Sequence, residues 1–374
     1  MRPLMLAVAI GLAGSSAGAA TPTDNPQAST LDKVVETAAE AFFASGCHVG
    51  LSVGIHDAGG DHVYNYGTVS KTTAALPTGR TLYEIGSVTK TFTGTLAARA
   101  ILDGKMTLNG DFRAYLSAPY PNLMRDGKPI TLRTLASHKS GMPRELPDSN
   151  GLFKGVDADQ LPYLLVAHEK TYDRARYLKD LHDTTLATTP GDSLAYSNIG
   201  IKLVAFGLEN VYSRTFDQLL KDEITGPLGM KHTSLHVSWL DRSRLANGYG
   251  PGGGLMPHVL PNAGAAGGLY SDTQDMLRYA GWQLDETNPV VRTAHEPIAG
   301  YIDDYAIGMM WDETRKGGER KLWHSGGVYG MSSQLILFPD AGQAYVLLAN
   351  DGCFDTQGQL HDMAMTIHAA QKGG

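Results

Sequence analysis

The sequence reads Tyr83-Glu84-Ile85-Gly86-Ser87-Val88-Thr89-Lys90, followed by an apolar, small-residue run from Thr91 to Ala100 and then Asp103-Gly104. The run has the length and composition of a helix, with Gly104 as its C-terminal stop. Positions three apart share a helical face, so the Lys90 amine falls beside the Ser87 hydroxyl. Ser87 belongs to the first turn, where free backbone N–H groups and the helix dipole favour developing negative charge. A serine hydroxyl becomes a nucleophile when a base takes its proton. A lysine can be that base once burial and neighbouring cations lower its pKa. The stretch therefore reads as an acyl-transfer site. Alone, Ser-x-x-Lys is a weak signal: a chain of 374 residues contains about one by chance, and the bland reading is a capping serine beside an exposed lysine.

Outward from this stretch, the pattern is strand-like at both ends and helical between. Leu31 to Ala44 has helical spacing, and Val49–His56 with His62–Val69 forms a hairpin around Asp57-Ala58-Gly59-Gly60-Asp61. His56 and His62 become cross-strand neighbours near its turn; two solvated histidines are the reading preferred there over a metal site. Lys105 to Asp111 is a turn-rich connection, and Leu132 to Ser137 is a short helix. Helical regions follow at Leu161–Leu181, Ile199–Val211 and Phe216–Ile224, and Ser271-Asp272-Thr273-Gln274 is a capping box opening another. Gly250 to Gly254 lacks the lysine and helix of a phosphate loop and reads as loop. Tyr305–Asp312, Lys321–Ser325, Ser332–Phe338 and Ala344–Ala349 are strands, and a last helix runs from about Gln357 to Ala370. The expectation is an α/β fold: one antiparallel sheet built from both ends (29–110 and 286–374), flanked by helices, with a mainly helical domain (111–285) inserted and the site at the junction.

Composition sets bounds. The chain is 42% hydrophobic and 18% charged with 44 glycines, an ordinary globular balance, and its net charge of −7 without a basic block gives no support to a nucleic-acid partner. Met1-Arg2-Pro3, the apolar run Leu4–Gly14 and the small residues Ser15–Ala20 read as a secretory signal peptide, because the apolar run is shorter than the roughly 18 residues a membrane span needs. Residues 21–28, rich in Thr, Pro, Asn and Gln, read as a flexible leader. Export to a bacterial periplasm is the expected destination, with no stable membrane span after cleavage. Cys47 and Cys353 are the two cysteines; a bridge requires the chain ends to meet, and paired or free thiols both stand as readings.

Two further motifs carry chemistry. Pro190-Gly191-Asp192-Ser193-Leu194-Ala195-Tyr196-Ser197-Asn198 sets a tyrosine and an asparagine two apart before a helix, and Trp323-His324-Ser325-Gly326-Gly327 ends an edge-like strand. A Tyr196 phenolate beside Lys90 would exchange protons with Ser87 and the leaving group. Asn198 would donate its amide to a substrate carbonyl. Gly326 and Gly327 let a substrate backbone approach, and the Gly327 N–H would join that of Ser87 as an oxyanion hole.

Ser-x-x-Lys, Tyr-x-Asn and His-Ser-Gly in this order resemble the three-element signature of penicillin-recognising serine enzymes. The tyrosine resembles the branch holding class C β-lactamases, serine D-Ala-D-Ala carboxypeptidases and β-lactamase-fold esterases. The likeness extends over Leu135-Ala136-Ser137-His138-Lys139-Ser140-Gly141-Met142-Pro143, Gly226-Pro227-Leu228-Gly229-Met230 and Ala263 to Ser271. It implies the β-lactamase/penicillin-binding-protein-like fold, Ser87 as acylated nucleophile, and Lys90 with Tyr196 as the proton-transfer pair. It further implies that Asn198 and the strand carrying His324, Ser325, Gly326 and Gly327 hold the substrate, with Glu145 where β-lactamases often carry a substrate-contacting Gln. The departure is His324 in place of the lysine of Lys-Thr-Gly, which removes a permanent cation from carboxylate recognition. The expected substrate is accordingly a small molecule or peptide, first a D-Ala-D-Ala-type cell-wall peptide, then an ester, then a β-lactam. A non-catalytic binder of penicillin or muropeptide is the alternative of another class. Nothing in the sequence suggests a metal or organic cofactor.

Overall fold

The computed structural model describes residues 21–146, 153–302 and 305–373; the stretch read as a signal peptide lies outside them. Eight strands form one antiparallel sheet. They are β1 (Gly50–Asp57), β2 (Gly60–Gly67), β3 (Ala299–Ile302), β4 (Tyr305–Ile307), β5 (Asp312–Lys316), β6 (Glu319–Gly327), β7 (Ser332–Phe338) and β8 (Gln343–Ala349). Their order across the sheet is β2-β1-β8-β7-β6-β5-β4-β3, so the N-terminal hairpin docks on the last strand of the C-terminal meander. Side chains alternate between two cores, as the strand period requires. Leu51, Val53 and Ile55 of β1 with Tyr345, Leu347 and Ala349 of β8 face one core, while Ala344, Val346 and Leu348 face the other.

The first core lies beneath α1 (Thr30–Phe43) and, as the last helix, α10 (Thr356–Lys372). The second is larger and centres on α2 (Thr89–Leu102), nearly all of whose residues are buried. A helix apolar or small all round is one surrounded by protein. Around α2 stand α3 (Leu132–Ala136), α4 (Leu161–Glu169), α5 (Arg174–Asp183), α6 (Asn198–Tyr212), α7 (Phe216–Leu220), α8 (Thr273–Gln283) and α9 (Pro289–His295). Helix α8 lies on the sheet itself, where Gly54 leaves room for Thr273 and Leu277.

Several local expectations are revised. The region Leu161–Leu181 is two helices, because Asp173 accepts a hydrogen bond from the Arg176 N–H and opens α5 as a new helix. Helix α7 passes at Lys221–Thr225 into a wider π turn. The cap of α8 is Asp272, accepting from the Asp275 N–H, rather than a Ser271 box. The strand expected over Tyr305–Asp312 breaks at a tight turn in which the Gly308 N–H donates to the Trp311 carbonyl. His56 opposes Asp61 and His62 opposes Ile55, and each imidazole contacts a carboxylate of the hairpin, His56 with Asp61 at 2.6 Å and His62 with Asp57 at 3.4 Å. Residues 21–28, expected as a flexible leader, are tied to β2: Gly67 N–H donates to the Pro22 carbonyl, and Asn25 exchanges hydrogen bonds with the Asn65 backbone. Cys47 and Cys353 are joined in a disulfide.

Candidate active site

The Ser87 segment is positioned by backbone contact with β6. Gly86 adopts φ +48°, and a Cβ there would lie 2.7 Å from the Gly327 nitrogen; a Cβ on Gly326 would lie 2.1 Å from the Ile85 carbonyl oxygen. Only glycines allow the two chains to lie this close. Ser87 sits in a 3-10 turn, Gly86–Val88, that runs directly into α2. Pairing of β6 with β5 ends at Trp323, while pairing with β7 runs from Leu322 to Gly327, so β6 is interior at Leu322 and Trp323 and open on one edge beyond. The Val328 N–H donates to the Met331 carbonyl. Antiparallel hydrogen-bonded pairs alternate with unbonded ones, which turns the Gly327 N–H to the open edge, toward the Ser87 turn.

Around the Ser87 Oγ the geometry is tight. The Tyr196 hydroxyl donates to it at 2.7 Å, and the Lys90 Nζ lies 3.0 Å away. The Lys90 ammonium or amine also donates to the Ala266 carbonyl. Burial brings the Lys90 pKa down to about 7, with Arg144 and Lys202 pushing the same way and Glu145 opposing. Burial pushes the Tyr196 phenol up to about 12. The phenolate expected from sequence is therefore replaced by a neutral phenol, and the base that is half available at neutral pH is Lys90. When Lys90 is neutral, one N–H is held by Ala266 and its lone pair is left for the Ser87 proton. Tyr196 then serves as donor to the serine oxygen.

Tyr196 is itself held from behind. The His138 ring packs against it at a tilt of 33° with centroids 4.3 Å apart, and His138 Nδ1 accepts from the Ser197 N–H at 3.2 Å. Burial drops the His138 pKa to about 3, so the ring stays neutral. His138 has φ +55°, in the left-handed region, a local strain of the kind found at working sites. The Met142-Pro143 turn docks onto the start of α6: Ser197 Oγ donates to the Pro143 carbonyl at 2.6 Å, and the Asn198 N–H donates to the Arg144 carbonyl at 2.9 Å. This contact brings Glu145 to Asn198, whose amide donates to the Glu145 carboxylate.

These groups open onto a cleft of about 660 Å³ lined by Ser87, Glu145, Asn198 and Gly327 together with Arg144, Glu169, Lys202, Tyr329 and Gln357. Of the residues expected at the site, Ser87, Lys90 and Tyr196 converge, and Asn198, Glu145 and Gly327 border the same cleft. Gly326 supports the Ser87 turn. His324 is buried on the same face of β6, its Nδ1 against the Ser325 carbonyl at 2.6 Å, and burial lowers its pKa to about 4. It adds no positive charge at neutral pH. Strand alternation turns the Ser325 side chain to the α10 face, away from Ser87, so only its backbone is near the cleft. Sequence reasoning did not single out Arg144, Glu169, Lys202, Tyr329 or Gln357. Lys202 was legible in principle, one turn beyond Asn198 on the same helical face.

Among the described residues one buried grouping has metal-ligand character, His48 with Asp351 and Cys353, but the Cys353 sulfur is committed to the disulfide.

Comparison with known proteins agrees with this architecture. A family model described as Beta-lactamase matches residues 32–370. A protein named Beta-lactamase from Providencia stuartii is 32% identical over 273 residues, covering 70% of this chain and 64% of its own length. The D-alanyl-D-alanine-carboxypeptidase/endopeptidase AmpH of Escherichia coli K12 is 30% identical over 277 residues, covering 74% of this chain and 67% of its own. The chain thus spans somewhat less than two thirds of the Providencia protein's length. A solved structure titled Beta-Lactamase/D-Alanine Carboxypeptidase from Pseudomonas syringae superposes with a TM-score of 0.77 over 91% of this chain and 99% of its own; at 20% identity it speaks to the fold alone. The chain belongs to the β-lactamase family.

Proposed function

We propose that the protein is an exported serine peptidase that removes or exchanges D-alanine-type termini of cell-wall peptides through an acyl-enzyme on Ser87. The observation that carries this reading is the Ser87 Oγ held between a phenol donor at 2.7 Å and a buried lysine at 3.0 Å whose pKa is about 7. In acylation the Ser87 proton passes to Lys90 as the Oγ–C bond forms. The oxyanion is met by the Ser87 and Gly327 N–H groups. The C–N bond then breaks, and the proton reaches the departing amine from Lys90 through Tyr196. Water, activated by the same lysine, releases the acyl group. Asn198 and Glu145 line the cleft that would take the acyl donor, and Lys202 and Arg144 line it with cationic side chains.

Export is supported by the signal-like N-terminus and by the Cys47–Cys353 disulfide, a bond that persists in oxidising compartments. No described helix is long and apolar enough to cross a membrane. The peptidase reading draws on the 30% identity to the carboxypeptidase/endopeptidase AmpH. Ester hydrolysis is the second reading, favoured by the neutral, buried His324 where family β-lactamases carry a cation.

Intact mass after exposure to a penicillin, with Ser87→Ala beside it, tests the proposal. A lasting adduct on the wild type only supports a slowly deacylating peptidase. Rapid Ser87-dependent loss of penicillin without adduct makes it a β-lactamase, and Ser87-dependent ester cleavage alone leaves the esterase. A Lys90→Ala variant that keeps ligand affinity and turnover would sink the acyl-enzyme mechanism.

A further inference from the structure

Helix α6 carries one continuous face from the cleft into a second cavity. Asn198 and Lys202 border the cleft; Ala205, Phe206 and Glu209, one to two turns on, border a separate space of about 210 Å³. Tyr172, Tyr177, Phe206, Phe216, Leu235 and Ala205 wall it, four of them aromatic. Two features are shared with the cleft. Lys202 borders both, its amine 5.9 Å from the Tyr177 ring centroid. The backbone at 264–267 also divides them, with Gly264 and Ala265 on the cavity and Ala266 and Gly267 on the cleft. At the outer rim the Arg174 guanidinium lies 4.1 Å from the Phe206 ring centroid and is ion-paired with Glu209.

We propose that this space is an apolar annex of the active site that receives an apolar group of the substrate, with Lys202 at its threshold. The proposal rests on the acyl-enzyme reading above and adds to it a class of substituent: an alkyl chain or aryl ring on the acyl donor or on the leaving group. The division of labour follows from the walls. The cleft presents Arg144, Glu145, Glu169, Asn198 and Lys202, which hydrate or bind polar groups. The annex presents four aromatic rings, leucine and alanine beside the charged Asp173, Arg174, Lys202 and Glu209, and against its apolar faces a hydrocarbon loses its hydration. Each methylene moved from water into such a space is worth about a fourfold gain in kcat/KM.

The test is a chain-length profile on the mature protein with Ser87→Ala subtracted. One series varies the acyl group of p-nitrophenyl esters from acetate to butyrate and hexanoate; the other keeps acetate and varies the alcohol. Two variants reshape the annex. Ala205→Phe fills it, and Leu235→Ala enlarges it. The expected result is a rise in kcat/KM along one of the two series, which also identifies the side of the substrate that enters. Ala205→Phe should flatten that rise by tenfold or more at hexyl length while leaving acetate turnover unchanged, and Leu235→Ala should move the optimum to a longer chain. Flat profiles in both series, or profiles that neither folded variant alters, overturn the annex and leave the hydrolase intact. Absence of Ser87-dependent turnover on every ester, together with neither a penicillin adduct nor Ser87-dependent loss of penicillin, overturns the hydrolase reading, and the annex with it.

Discussion

The protonation of four side chains decides how the site runs. Lys90 sits near pKa 7, whereas His324 and His138 are lowered to about 4 and 3 and Tyr196 is raised to about 12, all chiefly by burial. A base works when unprotonated, so log kcat/KM should climb with unit slope as pH rises toward about 7 and then level off, with no histidine break between 5 and 9. A second break near pH 6 in a rate profile on a neutral ester would mean that a histidine takes part directly. Tyr196→Phe keeps the ring against His138 and removes the donor on Ser87 Oγ. It should lower kcat by about 10²-fold with little change in KM; a variant as active as wild type would show that Lys90 moves both protons alone. Ser87, Lys90 and Tyr196 were readable in the sequence because their chemistry is carried by residue type at fixed spacing. Glu145 and Asn198 were readable as residues but not as a bonded pair, since that bond depends on how the Pro143 turn docks on α6.

At the level of elements, the nucleophile turn and β6 meet through glycine backbones, and the Ser333 hydroxyl of β7 ties the same turn by donating to the Ile85 carbonyl at 2.8 Å. Gly326→Ala would place a methyl group 2.1 Å from the Ile85 carbonyl oxygen, a contact that backbone cannot absorb without moving Ser87. Displacement of reacting groups by about 1 Å costs on the order of 10²-fold. The expected outcome is that loss in kcat/KM and a lower thermal midpoint, and a crystal structure of the variant should show the Ser87 turn shifted away from Gly327. Unchanged activity would place the oxyanion site elsewhere. Long elements were legible because their apolar period persists: α1, α6, α10 and the hairpin fall where spacing put them. The misread ones share a cause. Leu161–Leu181 keeps a helical pattern across Asp173, and only the local cap reveals the break. Helix α9 and strand β3 are too short for a period to show, and β4 and β5 are separated by a turn whose positive φ falls on Met310 rather than on Gly308.

Over the whole molecule, the sheet is closed by its two ends. β1 pairs with β8, α1 packs beside α10, and the Cys47–Cys353 disulfide bridges 306 residues at that same end. The bond acts at two levels. It constrains the unfolded chain, worth about 2–4 kcal/mol for a typical disulfide. It also fixes Cys353 between β8 and α10, in the stretch Gly352–Gln357 that walls the cleft opposite α6 and sets the Gln357 amide against Gly327. The pairing was left open at the sequence level because it depends on the ends meeting, which is a property of topology rather than of either cysteine's neighbours. Cys47→Ser with Cys353→Ser should therefore lower the denaturation midpoint by an amount matching that range and raise KM for cleft substrates, since the wall is freed while Ser87, Lys90 and Tyr196 are untouched. A chemical reductant on the wild type should give the same two shifts. If the double variant unfolds at the wild-type midpoint yet still loses affinity, the bond serves the cleft alone, and the packing of α1 on α10 suffices to hold the chain ends together.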